Sequence, residues 1–393
     1  MNPCSLLALL SSLPFEIVVV ICCHLPVKSL ARFRSVSKSW HSLIDSPYFI
    51  NLHLTCSIET NNFMLYVNPR SNPKEMGCLD FASLHHNAGA RARKLDAWPL
   101  KHAHICGSCN GLFALYKTDT KSLVFWNPST HKVYDAPFSR IRLYTSDLST
   151  FQFDASGNDY EVVMIRRNKS TERLDFVIYS LEAKCWRTIH STINGGDIDI
   201  RKTSCVLFNG AIHWLVSKQN KCNLLVFDLR REESYKLPLP NPISEHGMDN
   251  KKLLILDGCL CVDSIGKQDV GVYYNELWVM KEYKVNESWI KLFSVSRNHK
   301  YQCDFHALSY LKNHDKVLVE FDYFNLLYWY DLKNESFERI HIPGISSPDY
   351  TICPATLVSI DADVENKEKR RWRLLKHEIV HLSFDGEELA QLR

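Results

Sequence analysis

Between residues 13 and 44 the apolar positions recur at helical spacing. Ile17, Val20, Ile21 and Leu25 form one stripe, Leu30, Phe33 and Val36 a second, and Trp40, Leu43 and Ile44 end the pattern. Pro14 and Pro26 stand at the starts of the first two segments, where a missing N–H costs little, and Ser11 and Ser12 are candidate caps for the first. Asp45-Ser46-Pro47 breaks the run. The spacing predicts three short amphipathic helices, with Lys28, Arg32, Arg34 and Lys38 on the polar side. Val18 and Val19 lie off the first stripe, so that helix must be covered on more than one side. Roughly forty residues without disulfides or a metal rarely bury a core alone, and such a unit needs a partner.

Beyond it the pattern turns to strands and repeats. Five units place an aromatic or apolar strand, a polar turn and a second aromatic-bearing strand in that order: residues 124–134, 177–189, 225–237, 277–292 and 327–340. From Trp126 to Tyr179, Phe227, Val279 and Tyr330 the steps are 53, 48, 52 and 51 residues. The closing aromatics are Tyr134, Trp186, Tyr235, Trp289 and Phe337. A further strand precedes each pair, at residues 112–116, 162–165, 211–216, 259–262 and 317–321. Three of these follow Asn110-Gly111, Asn209-Gly210 and Asp257-Gly258, dipeptides suited to tight hairpin turns because Gly tolerates positive φ.

A fifty-residue period of short antiparallel strands is the signature of propeller blades, each a small sheet that must stack on neighbours to bury both faces. Residues 63–81 supply a sixth, less regular unit, and 356–360 is expected to return to it and close the ring. The alternative is a β-sandwich, which requires shorter and less uniform spacing.

Composition narrows the function. The formal charge of +3 in 393 residues excludes bulk electrostatic binding of nucleic acid. Fourteen cysteines without pattern, several inside strand-like runs, fit buried thiols in a reducing compartment better than a disulfide framework. The sequons at Asn168, Asn286 and Asn334 are then chance. Residues 5–25 are apolar, but Pro14 and Glu16 interrupt them and no basic residue precedes Lys28, so neither a signal peptide nor a spanning helix is expected.

Two patterns resemble metal sites. His377-Glu378-Ile379-Val380-His381 spells HExxH, which on a helix presents two His with Glu378 as base. Phe384 stands where the extended motif needs Gly, and only 12 residues follow His381. His102, His104, Cys106 and Cys109 are closely spaced, but one CxxC without a second pair is weak. No metal or cofactor is expected. The basic run Lys367–Lys376 reads as a solvated helix face, or as a nuclear-import or partner-binding patch.

The words at the N-terminus carry a resemblance. Leu13-Pro14, then Leu25-Pro26-Val27-Lys28-Ser29-Leu30, then Arg32-Phe33-Arg34-Ser35-Val36-Ser37-Lys38-Ser39-Trp40 and Leu43-Ile44 resemble the F-box of plant F-box proteins, in register throughout. Ser35 departs where many relatives carry Cys, and Phe15 where an acidic residue is usual. The resemblance implies docking on the Skp-type adaptor of a cullin–RING ubiquitin ligase through Leu13, Pro14, Ile17, Ile21, Leu25, Pro26, Val27, Leu30, Phe33, Val36 and Trp40. Further on, Cys109-Asn110-Gly111-Leu112, Trp126-Asn127-Pro128, Asn158-Asp159-Tyr160-Glu161-Val162-Val163, Leu256-Asp257-Gly258-Cys259-Leu260-Cys261, Trp278-Val279-Met280-Lys281-Glu282-Tyr283 and Glu287-Ser288-Trp289 resemble the plant F-box-associated domain, taken as the substrate-recruiting part.

The expected organisation is an N-terminal tail at 1–12, a three-helix F-box at 13–52, a linker at 53–62, a propeller-like domain of about six units at 63–361 and a charged tail at 362–393. The expected role is a non-catalytic substrate adaptor of an SCF-type ligase, cytoplasmic or nuclear. Its partners would be the adaptor, through it cullin and RING subunits, and an unknown target protein, with no nucleic acid and no membrane. The alternatives are a propeller scaffold outside any ligase and a zinc hydrolase using the tail motif.

Overall fold

The computed structural model describes residues 14–360, except 70–75, 87–91, 96–102, 138–147, 155–157, 196–204, 219–220, 241–242, 244–250, 270–271, 298–304, 312–314, 322–325 and 344–347. Four helices lead the described chain: α1 Phe15–Cys23, α2 Val27–Arg34, α3 Lys38–Ile44 and α4 Pro47–Glu59. Three were expected. Ser46 is the reason for the fourth: its hydroxyl accepts from the Phe49 N–H at 3.1 Å, and Pro47 fills the first helical position. The triplet that ends α3 therefore also begins α4. The helix runs through most of the expected linker, leaving Thr60–Asn62 as the connection. Ser37 caps α3 in the same way, accepting from Trp40 N–H at 3.3 Å. Ser11 and Ser12 lie outside the described residues, and Pro14 occupies the cap position of α1.

Twenty-four strands follow in six antiparallel sheets of four. Blade 1 holds Phe63–Pro69, Gly77–Asp80 and Arg93–Lys94; blade 2 Ala103–Cys109, Leu112–Lys117, Ser122–Asn127 and Lys132–Asp135. Blade 3 holds Leu148–Asp154, Asp159–Arg167, Arg173–Ser180 and Cys185–Asn194; blade 4 Cys205–Phe208, Ala211–Lys218, Lys221–Asp228 and Glu233–Leu237. Blade 5 holds Lys251–Leu256, Cys259–Asp269, Val272–Met280 and Trp289–Arg297; blade 6 Phe305–Leu311, Lys316–Phe321, Leu326–Asp331 and Ser336–Ile340. The first strands of successive blades touch one another around the axis. This is a six-bladed propeller and not a sandwich.

The ring closes through Pro348–Pro354, which takes the innermost place in blade 1 by pairing with Phe63–Pro69, Leu65 opposite Ile352. Residues 356–360 were expected there. Their alternation is that of a strand, but the side chain of Asn127 takes the carbonyls of Thr356 and Val358 and draws the segment onto blade 2.

Each apolar cluster of the ring spans one blade boundary. Phe113, Leu115 and Val124 pack against Tyr66 and Cys78 of blade 1. Their alternate neighbours Leu112, Ala114, Tyr116 and Phe125 pack against Val162, Val177 and Tyr179 of blade 3. A sheet buried on both faces gives runs without polar alternation, such as LFALY and VVMI. Three indoles tie boundaries by hydrogen bonds: Trp186 Nε1 donates to the Pro137 carbonyl and Trp289 Nε1 to that of Pro238, both at 3.1 Å, and Trp329 Nε1 of blade 6 to the Leu84 carbonyl of blade 1 at 3.3 Å.

The turns obey local chemistry. Asn110-Gly111, Asn209-Gly210 and Asp257-Gly258 all have positive φ at both positions, as the two-residue hairpins require. Between the third and fourth strands of blades 2, 4 and 6, Asn127, Asp228 and Asp331 each accept from two backbone N–H groups, two and three residues on. His131, Glu232 and Glu335 then take left-handed backbone to re-enter the sheet.

Candidate functional site

From Ile17 to Cys23 helix α1 carries only apolar residues, and its two faces part company. Val18, Val19, Cys22 and Cys23 are buried with Leu30, Phe33, Leu43, Ile44 and Phe49 in the core of the helical unit. Ile17, Val20 and Ile21 face outward at 47%, 57% and 37% exposure, and Val36, just past the end of α2, is 53% exposed. The fold thus uses one face of α1 and leaves the other open. Full burial of a Val or Ile side chain is worth about 1.5–3 kcal/mol, so a partner covering this surface gains several kcal/mol.

The eleven positions assigned to docking by resemblance divide accordingly. Pro14, Ile17, Ile21, Pro26 and Val36 are exposed. Leu25 and Trp40 are half-buried, with Trp40 against Phe33 at 5.4 Å between ring centroids. Val27, Leu30 and Phe33 are buried and build the core behind the surface. Leu13 lies outside the described residues. Val20, the most exposed of the α1 residues named here, was absent from that set; its signal was the three-valine run, too apolar for a helix with one covered face.

Polar contacts hold the unit in shape. Arg34 Nη2 donates to Asp45 at 2.6 Å, tying the end of α2 to the end of α3. His53 on α4 is fully buried, and its Nε2 lies 3.0 Å from the Leu25 carbonyl at the α1–α2 corner. Burial lowers the pKa of His53, so the ring is neutral and Nε2–H donates.

Helix α4 rests on the propeller. Ile50 and Leu54 join the cluster between blades 2 and 3, together with Val358 and Ile360. A cavity of about 110 Å³ lies at this junction, lined by Asp45, Ile50 and Leu54 on the helical side and by Asn110, Tyr160, Leu181 and Glu182 on the blades. Asn110 belongs to a turn between first and second strands, Leu181 and Glu182 to one between third and fourth. The helices therefore occupy the face of the ring formed by those turns. The strand ends that lead from one blade to the next, and the described turns between second and third strands at 118–121 and 168–172, lie at the opposite face.

The described part of the His102–Cys109 pattern does not assemble into a metal site. Cys106 and Cys109 lie on the innermost strand of blade 2, and burial pushes both thiols up to about 11, which keeps them protonated at neutral pH. His104 on the same strand is exposed, and His102 lies outside the described residues. Among the described residues no group of three or more His, Cys, Asp or Glu side chains is placed to hold a metal ion. His377, Glu378 and His381 lie outside them, as does Lys367–Lys376. Among the described residues, no helix is long and apolar enough to cross a membrane.

Comparison with known proteins agrees with this division of the chain. Residues 10–52 match the F-box domain family and residues 82–346 the F-box associated beta propeller domain family. The chain is 28% identical over 367 residues to F-box protein CPR1 of Arabidopsis thaliana, covering 86% of each. An F-box/kelch-repeat protein of the same plant is 29% identical over 356 residues, 86% of this chain and 91% of that one. A further F-box protein of that plant is 30% identical over 299 residues, 72% of this chain and 79% of its own length.

Proposed function

Because the chain belongs to the F-box associated β-propeller family, carrying an F-box ahead of the ring, we propose that it is a substrate-recognition subunit of an SCF-type cullin–RING ubiquitin ligase. The helical unit docks a Skp-type adaptor, and through it cullin and RING subunits. The ring holds a target protein for ubiquitination and degradation. The observation that carries this reading is the open apolar face of α1. The apolar run from Ile17 to Cys23 has its inner half consumed by the chain's own core, and Ile17, Val20 and Ile21, with Val36 beyond α2, remain for a partner. Docking of this kind buries apolar area without catalytic groups.

The target binds on the face opposite the helices, where the strand ends that lead from blade to blade gather. Adaptor and target then contact different ends of one body, and the chain contributes proximity: it raises the effective concentration of target lysines near the charged conjugating enzyme. The chain itself performs no chemical step in this reading. Free thiols, most of them buried, suit a reducing compartment, cytoplasm or nucleus.

The test is co-purification with recombinant adaptor. The natural chain binds, and a chain carrying Ile17→Asp and Val20→Asp does not while keeping its thermal transition. Undiminished binding by that variant refutes the docking face.

A further inference from the structure

Residues 356–360 leave the strand that closes the ring and pass beneath the helices. Asn127, fully buried at the start of a blade 2 turn, donates its side-chain amide to the Thr356 carbonyl at 3.2 Å and the Val358 carbonyl at 2.9 Å. Ser129 Oγ in the same turn accepts from Thr356 N–H at 3.4 Å. Held on this path, the segment faces two ways. Val358 and Ile360 pack with Ile50 and Leu54 of α4 over blades 2 and 3, and Leu357 packs against the core of the helical unit itself.

We propose that this strap makes adaptor docking conditional on closure of the propeller ring; the inference rests on the docking role proposed above. The strap can take its path only when Pro348–Pro354 has paired with Phe63–Pro69, because Ala355 alone separates it from Pro354. That pairing joins the last described strand to the first, the contact of greatest chain separation and of highest entropic cost in the ring. A chain with an open ring therefore lacks one wall of its helical core. A unit of roughly forty residues is marginal without such a wall. The loss reaches the docking face through α4, whose His53 holds the Leu25 carbonyl at the end of α1. Only a receptor with a finished ring then presents α1 in its docking form, so an incompletely folded chain does not occupy the adaptor.

The experiment uses the full chain. Asn127→Asp keeps an oxygen to accept from the Ser129 and Thr130 N–H groups, but it removes both donations to the strap and sets a carboxylate against two carbonyls. Leu357→Asp places a charge in the helical core wall. Affinity for recombinant Skp-type adaptor is measured beside amide hydrogen exchange. The expected result is binding weaker by about ten-fold for Asn127→Asp and by more for Leu357→Asp. Exchange should quicken in Pro47–Glu59 while blades 4 and 5 keep their protection. Two variants that bind like the natural chain overturn the proposal, as does loss of protection spreading through blades 4 and 5, which assigns the strap to the ring as a whole. Failure of the natural chain to bind adaptor is a different result and removes the docking role underneath.

Discussion

A Cβ on Gly111 would overlap Cγ2 of Thr356 and stand 2.5 Å from the Pro354 carbonyl oxygen. Gly111 also has φ +79°, so the hairpin turn of blade 2 and the chain leaving the closing strand both depend on its hydrogen. Gly210 occupies the same turn in blade 4 at φ +71°, and a methyl there would meet nothing within 4 Å. The two sites separate backbone strain from crowding. Gly210→Ala should cost about 1–2 kcal/mol from φ alone. Gly111→Ala should add the cost of displacing backbone, roughly 1–3 kcal/mol more. Urea unfolding of the two variants measures the difference, and equal losses would mean that the strap moves aside freely.

The docking face and the core behind it respond differently to charge. Ile17 and Val20 are open, so Asp at either leaves the melting temperature nearly unchanged and lowers adaptor affinity, with about 100-fold expected for the pair. Leu30 has no exposed surface, so Leu30→Asp buries a charge and melts the helices, with loss of several kcal/mol. Calorimetry beside adaptor titration distinguishes them. A stable Leu30→Asp chain that fails to bind would place Leu30 in the interface instead.

How far the sequence exposed this arrangement depended on how many faces each element buries. Second and third strands pack against blades on both sides, and their uninterrupted apolar runs stood out, as did the closing aromatics. The innermost strands did not: AHICGSC and LSTFQFD mix small and polar residues because one edge meets the axis and the neighbouring first strands. Helix α4 was hidden for a different reason. Ser46-Pro47 is a cap followed by a first-turn proline as well as a break, and only the apolar residues after it, Phe49, Ile50 and Leu54, distinguish the two. Residues 356–360 alternate like a strand, and no local signal told that a buried amide 229 residues earlier would claim the Thr356 carbonyl. The eleven positions assigned to docking came from a family pattern, and their division into surface and core was not legible in it, because helix periodicity gives faces without saying which of them the chain's own core takes.

The indole ties of Trp186 and Trp289 should contribute independently. Trp186→Phe and Trp289→Phe each remove a donor and leave a proline carbonyl, Pro137 or Pro238, without it. Each should cost about 1–2 kcal/mol. The boundaries lie between blades 2 and 3 and between blades 4 and 5 and share no residues, so the double variant should show the sum within about 0.5 kcal/mol. Chemical denaturation of the four chains closes the cycle. A markedly smaller double loss would show that opening one boundary already opens the other.

His213 makes the boundary of blades 4 and 5 acid-sensitive. The ring is fully buried, with Nε2 2.9 Å from the Tyr283 hydroxyl, and burial lowers its pKa from 6.5 to about 4. Lys284, which lies 4.7 Å above the Tyr235 ring and 5.3 Å from that of Tyr283, adds a like charge that works in the same direction, while Asp228 nearby carries the opposite one. Above pH 6.5 the ring is neutral in folded and unfolded chains alike, and the contribution to stability is complete. Between 6.5 and about 4 the unfolded chain takes up a proton that the folded chain refuses, so stability falls as the pH falls, by up to ~1.4 kcal/mol per unit. His213→Gln retains a donor toward Tyr283 without the titration. The natural chain should therefore lose about 2 kcal/mol more than the variant between pH 6.5 and 4.5, measured by urea unfolding at each pH. His53 is lowered in the same direction but is present in both chains, so its share cancels in the difference. Parallel pH profiles for the two chains would show that the boundary opens to water before the ring protonates.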